Sequence, residues 1–134
     1  MADARAEVAD RMQAALVAVT GLAHVEHSSA RVAPSRVPSC VHYLHTEVEV
    51  ADNPMVARVL TWGVTLYAPV MPAADDGNQL ALDLLAAVVA ALAGQRWTLT
   101  GYHAPVAVVK SELVEMTDTI LSYYLQVSVT LQPV

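Results

Sequence analysis

The sequence predicts an α+β fold: a mixed or mainly antiparallel β-sheet with two α-helices packed on it and a long protruding β-hairpin. Three observations lead there. The first segment repeats apolar residues at helical spacing. Residues 79–93, QLALDLLAAVVAALA, are helix-length with Gln79 and Asp83 as the only polar side chains. The remaining segments alternate apolar and polar residues as strands do. A length of 134 residues fits one domain, residues 1–134, with a real core.

The first helix places Val8, Met12, Ala15, Leu16 and Val19 on one stripe, with Arg5, Glu7, Asp10, Arg11 and Gln13 largely elsewhere on the wheel. Asp3 is its candidate N-cap, and Gly21 marks its stop. LAHVEH, residues 22–27, alternates as a short strand. A loop at about residues 28–39 follows, long for a compact domain and carrying Arg31 and Arg36, which suit a neighbouring subunit or an acidic surface.

The hairpin spans residues 41–68. Its first arm places Leu44, Thr46, Val48 and Val50 on one face and Tyr43, His45, Glu47 and Glu49 on the other. Asn53 and Pro54 form the turn. The second arm places Leu60, Trp62, Val64, Leu66 and Ala68 on its dry face, with Arg58, Thr61, Gly63, Thr65 and Tyr67 opposite and a phase slip expected near Val59.

Asp75, Asp76 and Asn78 are candidate caps for the second helix, which Gly94 closes. A surface helix would show a polar face, and this one does not, so coverage on more than one side is expected, part of it from partner chains. Residues 97–102 and 105–109 read as two short strands with His103 and Ala104 at the turn. The last strand is the clearest: Leu121, Tyr123, Leu125, Val127, Val129 and Leu131 alternate with Ser122, Tyr124, Gln126, Ser128 and Thr130.

Composition narrows function. The chain is 55% hydrophobic and 15% charged, so it has more surface to hide than an ordinary monomer of its size. Seven Lys and Arg against thirteen Asp and Glu give a formal charge of -6, which argues against a phosphate-binding surface spread over the whole protein. The single cysteine, Cys40, rules out an intramolecular disulfide and a multi-cysteine zinc site, and it reads as a small buried residue. No secretory signal pattern is visible, and the longest apolar run falls short of the roughly 20 residues that span a bilayer. A soluble intracellular product is the expectation.

Catalytic chemistry has no anchor in the chain. His24 and His27, and again His42 and His45, are three apart in strand-like segments, where odd spacing sends side chains to opposite faces. They read as polar-face histidines titrating near pH 6.5, with no metal site, no cofactor site and no catalytic set. Glu47 with Glu49, and Glu112 with Glu115, read as solvated charge. No phosphate loop, dinucleotide fingerprint or serine elbow is present.

The layout as a whole has a counterpart. An amphipathic N-terminal helix, then PSCVHYLHTEVEV turning into a second long strand ending YAPV, then NQLALDLLAAVVAALAGQRW and a long alternating final strand, resembles the tail-terminator and related tail-completion proteins of long-tailed bacteriophages. The resemblance covers nearly the whole chain and rests on element order and hydrophobic texture. It implies a structural virion protein and no enzyme: a hexameric ring that caps the tail tube and joins it to the head-side connector or stopper protein. Its partners would be copies of itself, the tail-tube protein and that connector, with DNA only as cargo passing through the lumen and no membrane. Its place would be the tail and neck of the virion, assembled in the host cytoplasm. The expected interface residues are Arg31 and Arg36 in the loop, Tyr43, His45, Glu47 and Glu49 on the polar face, and Asp52, Asn53, Pro54 and Met55 at the hairpin tip.

Two rival readings stay open: a head-completion or connector protein of the same neck, and a small ferredoxin-like enzyme or ligand-binding domain. The second would use His42, His45 and Glu47 around a pocket lined by Trp62 and Trp97.

Overall fold

The computed structural model describes residues 3–28, 36–50, 55–69, 79–117 and 119–134. In chain order these form α1 (Ala4–Val17), β1 (His24–His27), β2 (Ser39–Glu49), β3 (Arg58–Pro69), α2 (Gln79–Leu92), β4 (Arg96–Leu99), β5 (Tyr102–Met116) and β6 (Ile120–Pro133). The six strands make one mixed sheet in the order β1-β2-β3-β6-β5-β4. β1 runs parallel to β2, and every other pair is antiparallel. Two helices with a six-stranded sheet place the chain in the α+β class.

α1 begins at its cap. Asp3, in extended backbone, accepts a hydrogen bond from the Arg5 N–H and so satisfies one of the donors that a helix start leaves unpaired. Val8, Met12 and Leu16 recur every four residues and are fully buried, with Ala4, Ala9 and Val19 beside them.

β3 and β6 form the centre of the sheet, paired from Arg58 opposite Leu131 to Pro69 opposite Ile120. Their alternation is strict. Leu60, Trp62, Val64 and Leu66 face the same side as Val129, Val127 and Leu125, and all of these join α1 and α2 residues in one core cluster. Each large aliphatic side chain buried there contributes about 1.5–3 kcal/mol.

β2 and β3 pair as a hairpin, and β3 carries β6 along its other edge for its whole length, so the described part of the hairpin lies within the sheet and does not protrude from it. Parallel pairing of β1 with β2 explains the long loop between them. Parallel neighbours need a crossover, because the chain must return the full strand length before it can start again in the same direction. The middle of that loop, residues 29–35, lies outside the described residues, as do the candidate caps Asp75, Asp76 and Asn78.

One sequence reading is corrected here. In place of two short strands with a turn at His103 and Ala104, the turn falls at Thr100 and Gly101, and β5 then runs to Met116. Gly101 has φ +82°, a conformation that an L side chain rarely takes. Register slips between Val108 and Lys110 and between Leu113 and Glu115 break the alternation of β5 and hide its length.

α2 is covered on one side within the described chain. Its buried residues Ala81, Leu84, Val88 and Leu92 make a single stripe, while Leu80, Leu82, Ala86 and Ala90 are exposed. The described chain covers α2 on one face and leaves an apolar face open. Ala81, in the first turn, packs with Ala68 and Leu121 at the end of the sheet where β3 finishes and β6 starts.

The edge strands are short. β1 covers β2 only over residues 39–42, and β4 covers β5 only over residues 102–105, with two further backbone bonds at Val106. Beyond those points β2 and β5 each run on with one side unpaired among the described residues, and all three register slips fall on these stretches.

Candidate functional site

The face of the sheet opposite the core is built from alternate residues of four strands. Cross-strand register sets three rows on it: Tyr43, Gly63, Gln126 and Lys110; then Val41, Thr65, Tyr124 and Glu112; then Ser39, Tyr67, Ser122 and Glu115. Most of these residues, with His45, line an open concavity of about 450 Å³.

Gly63 is buried beneath two of the rings that line this concavity. A Cβ there would lie 2.9 Å from Tyr43 Cζ and 3.1 Å from Tyr124 Cε2, so both rings close over the strand only because that position has no side chain. Tyr67 stands two rows from Gly63. Burial, and then the neighbouring Tyr43 and Glu115, hold its phenol above the ordinary tyrosine range. Lys110 and Glu112 approach to 3.7 Å with both side chains about half exposed, a pairing worth little in water. Glu115 makes no ion pair among the described residues.

Of the residues expected at an interface, Tyr43 and His45 line this concavity. Glu47 and Glu49 do not, which corrects the reading of one continuous polar face. The ladder slips between Leu44 and Thr46, so His45 is an extra residue and every later side chain of β2 changes sides. Glu47 lies opposite Leu60 and Glu49 opposite Arg58, on the side of the sheet that holds α1. There Glu47 meets Arg58 at 3.3 Å and Arg5 at 3.5 Å. Val48, expected on the dry face, is 58% exposed for the same reason. The slip anticipated near Val59 occurs on the partner strand instead.

Met55 is 72% exposed and Arg36 is exposed. Arg31, Asp52, Asn53 and Pro54 lie outside the described residues.

A second polar constellation sits inside the core. His42 is fully buried on the core side of β2, which corrects its reading as a polar-face residue titrating near pH 6.5. Trp62 Nε1 donates to His42 Nδ1 at 3.1 Å. An indole N–H can only donate, so Nδ1 accepts, and the proton of the neutral ring is on Nε2, which lies 2.7 Å from Gln13 Oε1. Gln13 in turn donates to the Val25 carbonyl, tying α1 to β1. His27 stacks on His42 at 4.9 Å with the rings 8° from parallel. Burial, and then the proximity of His27, lower the His42 pKa to about 4.

This geometry is a satisfied structural network. His42 faces the core, His45 the outer concavity and Glu47 the end of the sheet near α1, so the three do not converge, and Trp62 and Trp97 belong to the core cluster. Cys40 is buried, and desolvation pushes its thiol up to about 12, far from a thiolate at neutral pH. Among the described residues no three His, Cys, Asp or Glu side chains are grouped to hold a metal ion. No described helix is long and apolar enough to cross a membrane.

The sequence reading missed the constellation of Tyr67, Tyr124, Glu115 and Gly63. One signal was available: a glycine in the middle of a strongly alternating strand marks a close approach of other groups to the backbone. No family of known proteins matches the chain, and no characterised protein is significantly similar to it.

Proposed function

We propose that this chain is a structural ring subunit of the tail-terminator kind, which caps the tail tube of a long-tailed bacteriophage and joins it to a head-side connector. The observation that carries the reading is a pair of exposed apolar patches at diagonal corners of the sheet. Val48 and Met55 mark one corner, and Leu113 and Val114, 49% and 60% exposed, mark the other. Val48 is opposite Val59 of β3, while Leu113 reaches Leu66 of β3 through Tyr123, so the corners are seven β3 residues apart, roughly 23 Å along the strand.

A cyclic ring uses one heterologous contact repeatedly, and each subunit then needs two different sticky surfaces placed apart. Two corners of this kind supply them. The open apolar face of α2, whose first turn lies at the Leu121 end of the sheet, would add to the surface a neighbour covers. The hairpin tip around Met55 is the element that would reach a neighbour. A subunit charge of -6 would let DNA pass through the lumen without adhering, since like charges repel.

The test is the solution mass by light scattering, alone and after mixing with the candidate tail-tube protein. A ring-sized mass, or rings formed only on tube ends, is the expected result, and Leu113→Asp or Met55→Asp should lower it while leaving thermal unfolding unchanged. A monomer indifferent to tube protein sinks the reading.

A further inference from the structure

We propose that the tyrosine-lined concavity on the outer face of the sheet receives an arginine side chain of a partner protein. Three phenol rings, Tyr43, Tyr67 and Tyr124, come from three adjacent strands and stand around two small residues, Thr65 and Ser122. Aromatic faces attract cations, and a guanidinium binds them best because it is planar and weakly hydrated. The rim adds Glu112 and Glu115 against Lys110, a net charge of -1 from these three side chains. Lys110 is already beside Glu112, which leaves Glu115 as the carboxylate open to a cationic guest.

Size separates a peptide-borne group from a free ion. At about 450 Å³ the concavity exceeds one guanidinium and can also seat the stem and flanking backbone of a chain that carries it. Charge points the same way, since a protein at -6 draws basic partners. The two tyrosines over Gly63 are held there by the absence of a Cβ, so the recess exists before the guest arrives. This inference does not rest on the ring reading, because a monomer has the complete concavity.

The experiment is an NMR titration of the intact protein with N-acetyl-arginine amide, following the tyrosine ring signals. N-acetyl-citrulline amide, the same shape without charge, and N-acetyl-lysine amide serve as comparisons. Saturable shifts at Tyr43, Tyr67 and Tyr124 are expected with the arginine probe. Binding should be about fivefold weaker for citrulline and for the Glu115→Gln variant, the size of one exposed ion-pair or cation–π contact. Glu115 is exposed, so this variant keeps its fold, and an unchanged melting curve verifies that. Gly63→Ala, which moves the two rings, should also weaken binding. Absence of saturable shifts, citrulline binding equal to arginine, lysine binding equal to arginine, or indifference to Glu115→Gln would each overturn the proposal.

Discussion

The indole of Trp62 donates to Nδ1 of His42, and this one bond fixes which histidine nitrogen carries the proton. Protonating Nδ1 would break it and place a charge inside the core, beside the stacked ring of His27. The folded pKa of about 4 lies below the ordinary value of 6.5, so between them the unfolded chain binds more protons. His42 therefore supports the fold fully above about pH 6.5, and that support is lost as the pH falls toward 4. The loss is on the order of 3 kcal/mol. Urea unfolding at several pH values measures it, and NMR of the His42 ring should show a single neutral tautomer down to about pH 5.

Glu7 joins α1 to the turn between β4 and β5. Its carboxylate accepts from the Thr100 backbone N–H at 3.1 Å and from the Thr100 hydroxyl at 2.8 Å. Glu7→Ala removes both bonds and is expected to cost about 1.5 kcal/mol, at the low end for charged acceptors because the contact is at the surface. Glu7→Gln should recover most of it. Denaturant unfolding gives the energy, and faster hydrogen exchange at the Thr100 amide locates the effect.

Cys40 should be inert in the native protein. Burial with a thiol pKa of about 12 leaves almost no thiolate at mildly alkaline pH, and no route for a reagent. Iodoacetamide is expected to modify the unfolded chain quickly and the native chain only at the rate of global opening, as mass spectrometry would read.

Under the ring proposal, changes at Leu113 and Met55 should separate assembly from folding. Both are exposed, so replacing either with Asp should leave stability within about 0.5 kcal/mol while reducing any self-association. Light scattering and a melting curve on each variant separate the two effects.

The sequence made the strongly periodic elements readable, for local reasons. α1 had its cap and stripe at Asp3, Val8, Met12 and Leu16, and β6 alternated without a break, because nothing interrupts its pairing with β3. β5 was misread because Val109 and Val114 sit at register slips, which a pattern of period two cannot represent. One slip at His45 likewise moved Glu47 and Glu49 to the far side of the sheet. The concavity stayed hidden because its residues come from four strands. The His42 network stayed hidden because its members, Gln13, His27 and Trp62, are brought together only by tertiary packing.

The slips at His45, Val109 and Val114 lie where β2 and β5 have a side unpaired among the described residues. A foreign strand arriving there would find a bent ladder whose spare N–H and C=O groups do not match a straight one. The long open strands are therefore poor seeds for cross-β fibres despite their apolar content, and under the ring proposal copies of this chain would meet through side chains, with each contact made and undone one subunit at a time.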